Sequence, residues 1–491
     1  MEVTPVGLLA VALWFAFAWR GLPWALAYTI CLMPFGMASA VNLPALGNLS
    51  LLIFQVCAAL TVAYVLLLKL LGPAPFDASN TPPQTGILLL LLGYCVLSAI
   101  IFPRLFQGDI LVFTLNRAQL GHAGVKVGAF TSRLVPLQPS PANLSQLFYF
   151  TLSACFFIAS YSIMKRRGAA MLVFKALLIA TFIHGLLALL DAAKLNALLA
   201  PFRTANYSLL DEHHVAGVPR IIGGFPEASA FGGASMYFLT FFLVHFINTW
   251  NRASAIAAFV AAACALSSFS STAYFAGFCL SVYVSVMLVW RAASSRMHWQ
   301  ETMSVGIVAY GVLAVVGLAL IATPAGSVFV EILDKIIFDK GSTNSALERG
   351  AWAEYGYRTF LETYGLGAGI GSIRSNGFAP VYLGSIGAIG FGLVLAFLGW
   401  TILPRYERSV VSGDERARRA IYSAARATLV IALCSRAASA TTPDFGVSFM
   451  LFAALTVLAR GAGERVVRPV TGGGVASQSE TRLPLATPRP R

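Results

Sequence analysis

Charge is what this chain has least of. Of its 491 residues only 11% are charged and 58% are hydrophobic, with a mean hydropathy of +0.76. A soluble globular chain runs near half apolar and a quarter charged, so a soluble enzyme is excluded. Paired metal-ligand motifs are also missing. The seven cysteines, Cys31, Cys57, Cys95, Cys155, Cys264, Cys279 and Cys434, all fall inside apolar runs with no CxxC spacing and no neighbouring His pair. No disulfide framework and no metal site is expected. The amino terminus MEVTPVG lacks a basic segment ahead of its apolar run, so it reads as a first span and not as a cleaved signal. Acidic residues are scarce too: 20 Asp and Glu stand against 34 Lys and Arg, a formal charge of +14. In a soluble protein that excess would suggest nucleic acid. In a membrane chain it is explained first by positive-inside topology, and no nucleic-acid partner is expected.

What the chain does have is long apolar runs, at about 5–19, 22–40, 50–71, 86–103, 144–163, 170–190, 228–248, 254–270, 272–290, 303–322, 379–403, 420–440 and 445–459. At about 20 apolar residues per helical crossing, these predict an all-α polytopic membrane protein of about 13 transmembrane helices. Residues 1–460 form one membrane domain. Residues 461–491, rich in Gly, Pro, Ser, Thr and Arg, cannot bury a core and read as a disordered cytoplasmic tail. The clusters Lys165, Arg166, Arg167 and Arg405, Arg408, Arg416, Arg418, Arg419 belong in the cytoplasm by the loop-charge rule. The loops 104–143, 191–227 and 323–378 then lie outside, the last large and partly helical. They carry more basic residues than the rule wants on that face, and an outside anionic ligand is the simplest reason.

Within the third outer loop, 328–340 alternates apolar and charged residues at helical spacing, which suits a helix lying at the interface or packing as a lid. Ser345 and Glu348 have the spacing of a capping box that opens a second helix, running to about Tyr364 before Gly365 stops it. Arg349 falls in its first turn. An arginine there works against the helix dipole, so reaching an anion explains it better than local stability does. Arg358 follows Glu354 by four residues and reads as a helix-surface ion pair. Next comes the glycine alternation Gly365, Gly367, Gly369, Gly371, with Arg374 at its edge. No strand precedes it, so it is no dinucleotide fingerprint. It could turn backbone N–H groups toward an anion or serve as a plain turn into the next span.

The second outer loop ends in Arg220 and Glu227, which run directly into a span. Partial desolvation at the interface makes Glu227 a better base, and a structural pair with Arg220 is the competing account. His213 and His214 have no partner cluster at metal spacing. Arg436 near the end of a span is an intramembrane cation that must pair with something, with Asp444 as the structural partner and a lipid phosphate as the functional one.

The segments GGFPEASAFG, LSSFSSTAYFAG, STNSALERGAW, GLGAGIGSIRSN and GSIGAIGFGL, in that order over roughly 220–400, resemble the O-antigen ligase/polymerase superfamily of bacterial surface polysaccharide enzymes. The resemblance implies metal-independent glycosyl transfer, with no cofactor, from an undecaprenyl diphosphate-linked glycan to a sugar hydroxyl at the outer, periplasmic face of the inner membrane. It also implies a flippase and a chain-length regulator as partner proteins. Ligases of this family carry a histidine in the large outer loop. None occurs here beyond His298, which favours a polymerase-like member. In that reading Arg220, Arg349, Arg374 and Arg436, with Gly369 and Gly371, hold the diphosphate. Arg349 and Glu227 act in catalysis, with Glu227 as the base of an inverting displacement. A ligase, or a flippase or transporter of lipid-linked glycan, are the alternatives.

Overall fold

The computed structural model describes residues 2–43, 49–71, 81–115, 125–126, 132–206, 214–215, 218–293, 344–403 and 413–461. The expected span 303–322, the interfacial helix 328–340, His213 and the tail from 462 onward lie outside the described residues. The chain is mostly helical. Its described helices are α1 (Pro5–Trp19), α2 (Leu22–Cys31), α3 (Ile53–Leu71), α4 (Thr85–Leu105), α5 (Pro141–Met164), α6 (Ala169–Ala192), the single turn α7 (Asn196–Leu199), α8 (Ala228–Thr249), α9 (Arg252–Ser267), α10 (Ser271–Ala293), α11 (Asn344–Glu362), α12 (Phe378–Ile402), α13 (Gly413–Ser439) and α14 (Val447–Gly461). Seven of these, α3, α4, α5, α6, α8, α10 and α12, are long and apolar enough to cross a membrane, and α1, α2, α9 and α14 are shorter apolar helices.

Burial separates central from peripheral helices. In α5 and α8, 61% of the apolar window is buried in the protein, against 28% in α4 and 33% in α3 and α10. The central helices meet around an aromatic core that includes Phe156, Phe157, Phe241, Phe242, Phe397, Phe449 and Phe452. The outer faces of the peripheral helices carry exposed Leu66, Leu67, Leu70, Leu89, Leu90 and Phe278, the pattern of side chains that meet lipid. Close helix contacts carry hydrogen bonds as well as packing. His184 of α6, fully buried, bonds Ser235 of α8 at 2.8 Å.

The helices run up and down between two ends, as cross-links between distant loops show. At one end the Gln84 side-chain amide donates to the Trp400 carbonyl and Arg291 donates to the Asn248 side chain. At the other end the Thr204 N–H donates to the Met37 carbonyl, Ile221 to Ser267, Arg374 to Phe113 and Gly377 to Ala440. Small antiparallel strands gather at this second end. They are β1 (Glu2–Val3), β2 (Ser39–Leu43) and β3 (Leu49–Leu52) in one sheet, β4 (Leu111–Phe113), β5 (Val125–Lys126) and β6 (Arg133–Pro136) in another, and the hairpin β7 (His214–Val215) with β8 (Val218–Pro219). They correct a purely helical expectation. Loop backbone held against a protein surface must satisfy its own N–H and C=O groups, and short pairings do so.

Two sequence readings change in detail. The run 22–40 does not continue as one helix, because α2 stops at Cys31 and the chain passes Pro34 and Gly36 into β2. Proline lacks the N–H needed to go on, and a Cβ at Gly36 would collide with the Phe225 ring. The other change is in α12, which breaks at Gly387 (φ +63). The freed groups are taken up by the glycine segment. Ala368 N–H donates to the Gly384 carbonyl at 2.8 Å, Gly369 N–H to Ser385 at 2.9 Å, and Ala388 N–H to Gly365 at 2.9 Å. Irregular backbone inside a membrane protein is stable only when protein satisfies it in this way.

Candidate functional site

The loop that enters α8 is held by a buried latch. Asp191, at the end of α6, binds Arg203 at 2.5 Å, with side-chain exposures of 10% and 6%. Its second oxygen accepts the Ile222 and Gly223 N–H groups at 2.8 and 3.0 Å. Arg203 in turn donates to the Gly223 carbonyl at 2.8 Å. Gly223 has φ +55, and a Cβ at Gly224 would lie 2.5 Å from the Pro34 carbonyl oxygen. The two glycines therefore let the chain turn tightly against α2 and α6 before α8 begins.

This latch fixes Arg220 and Glu227 on either side of the turn. Glu227 is the N-cap of α8 with extended backbone, and its Oε1 accepts the Ser229 hydroxyl. A negative side chain at a helix N-terminus is electrostatically favoured. Arg220 is half-buried, and its Nε donates to the Ser268 carbonyl at 3.3 Å, which ties it to the turn between α9 and α10. Burial holds the guanidinium below its ordinary range and the nearby charge of Arg349 adds to that, while Glu227 and Tyr274 work the other way. Four side chains from three separate segments thus share one electrostatic environment. Arg220 and Arg349, 129 positions apart in the sequence (349 minus 220), lie within electrostatic reach of one another. Tyr274 of α10, whose hydroxyl donates to the Leu266 carbonyl at 2.9 Å, was not foreseen.

Arg349 is half-buried on α11 and has no hydrogen bond or ion pair among the described residues. The helix begins at Asn344, ahead of Ser345, so Arg349 stands in the second turn and not the first. Its cost against the helix dipole is correspondingly small. Glu348 serves as a tether, because its Oε1 accepts the Ser132 N–H at 2.8 Å and the Ser132 hydroxyl at 2.6 Å. Arg358 pairs with Glu362 at 3.2 Å, not with Glu354. Arg374 comes to the same helix from the glycine segment. Its guanidinium stacks on Trp352 at 4.2 Å, one turn from Arg349, and its N–H donates to the Phe113 carbonyl at 2.6 Å.

Gly369 and Gly371 are corrected. Gly365, Gly367, Gly369 and Gly371 all have φ between +82 and +96, but their backbone turns into the helices and not toward a ligand. The Gly369 N–H is spent on Ser385, and a Cβ there would lie 2.5 Å from the Ser98 oxygen of α4. Gly371 is buried against Ala142 and Asn143 of α5. The Gly367 N–H goes to the Thr363 hydroxyl and the Ile370 N–H to Ser98. The Asn143 side chain donates to the Ile370 carbonyl and the Ser372 hydroxyl, both at 2.8 Å. The segment is a wedge that joins α4, α5 and α12.

Arg436 is also corrected. It donates to the backbone carbonyls of Thr442 at 3.1 Å and Asp444 at 2.7 Å, and it lines a half-open cavity of about 450 Å³ walled by α5, α8, α13 and the start of α14. Asp444 lines the same cavity, and burial raises its pKa to about 6, opposed by the Phe445 and Gly446 N–H groups, the Ser153 hydroxyl and Arg436. With an acid beside it and two carbonyls on its guanidinium, Arg436 is poorly placed for a diphosphate. Sequence reasoning counted Arg203 only among the basic residues of an outer loop and missed its pairing with Asp191. Their one available signal was an acid at the end of an apolar run, twelve residues ahead of an arginine. No family model, no curated protein and no solved structure matches this chain, so the geometry of the site carries the functional reading.

Proposed function

We propose that the chain is a bacterial inner-membrane polysaccharide polymerase, a metal-independent inverting glycosyltransferase acting on undecaprenyl diphosphate-linked glycan at the outer face of the membrane. The observation that carries this reading is that Arg349 and Glu227 both lie within electrostatic reach of the half-buried Arg220, two cations with one carboxylate, on segments read as outer loops. Two guanidiniums repelling each other in a half-buried site favour an anion between them, and their planar forks match phosphate oxygens. The orientation rests on the basic loop Lys165 to Arg167 at the opposite end, with the sequence cluster Arg405 to Arg419 read as cytoplasmic by the same loop-charge rule. The number of crossings, about 13, is part of the same proposal.

In this reading the arginines stabilise the charge that develops on the departing diphosphate. The bond from the sugar's anomeric carbon to the diphosphate oxygen breaks while the acceptor hydroxyl oxygen bonds to that carbon from the opposite face. The hydroxyl proton passes to Glu227, whose Oε1 is already engaged by Ser229, which leaves Oε2 to receive it. Purified protein turning over a defined lipid-linked repeat unit tests this. Glu227→Gln should still bind the lipid-linked donor and lose turnover by about 100-fold, and near-normal turnover would exclude the base role. A strain lacking the gene should accumulate single lipid-linked repeats, whereas a ligase would leave finished lipid-linked polymer. A lipid-linked glycan flippase is the second reading, favoured by the charged cavity around Arg436 and Asp444. It predicts no polymer from detergent-solubilised protein.

A further inference from the structure

We propose that the cavity beside Arg436 and Asp444 is a sugar subsite, taking a neutral ring of the glycan chain. It rests on the polymerase reading for the source of the ligand, but the cavity itself supplies the argument. Its volume of about 450 Å³ falls in the range of small-molecule sites and suits a short glycan unit, not a polymer strand.

The charges in it cancel. Arg436 and Asp444 line the same cavity and act on each other electrostatically, so a phosphate entering would meet an anion and a cation entering would meet a guanidinium. What the pair still lacks is hydrogen bonding of opposite sense. Asp444 Oδ1 and Arg436 Nε, an acceptor and a donor, are both buried with no hydrogen-bond partner among the described residues. Buried groups left in that state are costly. A polyol is the ligand that answers both, since each hydroxyl donates and accepts. Phe54 and Phe225 line another part of the wall, the mix of aromatic surface with a few placed polar groups that small-molecule sites use.

Gly233 adds a second, independent observation. It lies inside α8 and lines the cavity, and a Cβ built on it meets nothing within 4 Å. Its neighbour Gly232 is explained by packing, since a Cβ there would lie 2.7 Å from the Ser268 hydroxyl. Gly233 has no such reason. A glycine inside a helix is less favourable than alanine by about 1 kcal/mol, and here it leaves room that no part of the protein uses.

Saturation-transfer NMR on the full-length protein in lipid nanodiscs tests this, with free glucose, galactose, rhamnose and N-acetylglucosamine as probes and inorganic pyrophosphate as competitor. At least one sugar should give transfer that falls at least 10-fold in Gly233→Leu, a variant whose side chain starts where a Cβ meets nothing within 4 Å. It should also fall about 10-fold in Asp444→Asn, and pyrophosphate should leave it unchanged. Transfer from none of the sugars, transfer that survives Gly233→Leu, or displacement by pyrophosphate would each overturn the proposal. Arg349→Ala separates the two readings. Sugar transfer retained with turnover lost supports both, and turnover retained in Arg349→Ala removes the polymerase reading while the sugar result stands on its own.

Discussion

The Arg220–Arg349 cluster and the glycine segment 365–371 both looked like anion sites in the sequence, yet the fold uses them in opposite ways. In the glycine segment the N–H groups of Gly365, Gly367, Ala368, Gly369 and Ile370 are all spent inside the protein. In the cluster, Arg349 has no hydrogen bond among the described residues, and Arg220 donates there to a single carbonyl, that of Ser268. A ligand binds where hydrogen-bonding capacity and charge remain after folding. A segment rich in N–H donors is no site when helices have already taken them.

The substitution with the largest expected effect attacks the wedge. Gly369→Val combines a positive φ with a collision against Ser98 and Pro103, so strain and overpacking together should cost upward of about 4 kcal/mol. The protein should disappear from the membrane fraction. A Gly369→Val chain that melts like the parent but no longer binds donor would restore the anion reading of the loop.

Next comes the latch. Asp191→Ala leaves Arg203 buried without its carboxylate, at about 3 to 5 kcal/mol, and releases the Ile222 and Gly223 N–H groups. Thermal melting should drop, and limited proteolysis should cut near 220–226 first. Cleavage elsewhere would show that Asp191 does not order this turn.

Arg349→Ala should leave melting within about 0.5 kcal/mol, as expected of a side chain with no hydrogen-bond or ion-pair partner among the described residues. It should lower donor turnover by roughly 10- to 100-fold, the worth of one charge-assisted contact of about 1.5 to 3 kcal/mol. Arg349→Lys should recover little because the planar fork is gone. Equal losses of stability and turnover would make Arg349 structural and dissolve the contrast with the wedge.

The smallest effect is a pH dependence at Asp444. Its pKa rises from 3.8 to about 6 in the folded chain, so between those values the folded state keeps a proton that the unfolded chain has released. Stability therefore falls as pH rises through about 4 to 6 and is level above that window. The groups facing the carboxyl are Arg436, Ser153 and the Phe445 and Gly446 N–H groups, and its charge reaches Tyr237 and Tyr382. Asp444→Asn has no proton to lose, so it should melt higher than the parent above pH 6 and equally below pH 4. A constant difference across pH would exclude the carboxyl as its source.

Period and loop charge made much of this legible in advance. Apolar runs of 15 to 25 residues are strong signals, and where the residues are described the runs read from the sequence coincide with helices except at 32–40, which leads into β2, and at 50–52, which lies in β3. Loop charge singled out Arg220 and Arg349 because cations unexplained by helix chemistry stand out locally. The wedge was misread because glycine at positive φ looks the same whether its N–H faces a phosphate or the Ser385 carbonyl. That choice depends on α4, α5 and α12, up to 272 positions away. The latch was invisible for the same reason. Nothing near Asp191 says that its oxygens will cap amides 31 and 32 residues on.

The interlock of the glycine wedge with the break in α12 also bears on biogenesis. Its partners lie at Ser98, Asn143 and Gly384 to Ala388, so it has no complete seat until α12, late in the chain, has been inserted. Until then α4 and α5 wait in the bilayer without their third member. Quality control of this protein thus falls on its last few crossings, and truncations just before Phe378 should be degraded as orphans even though most of the apolar mass is already in place.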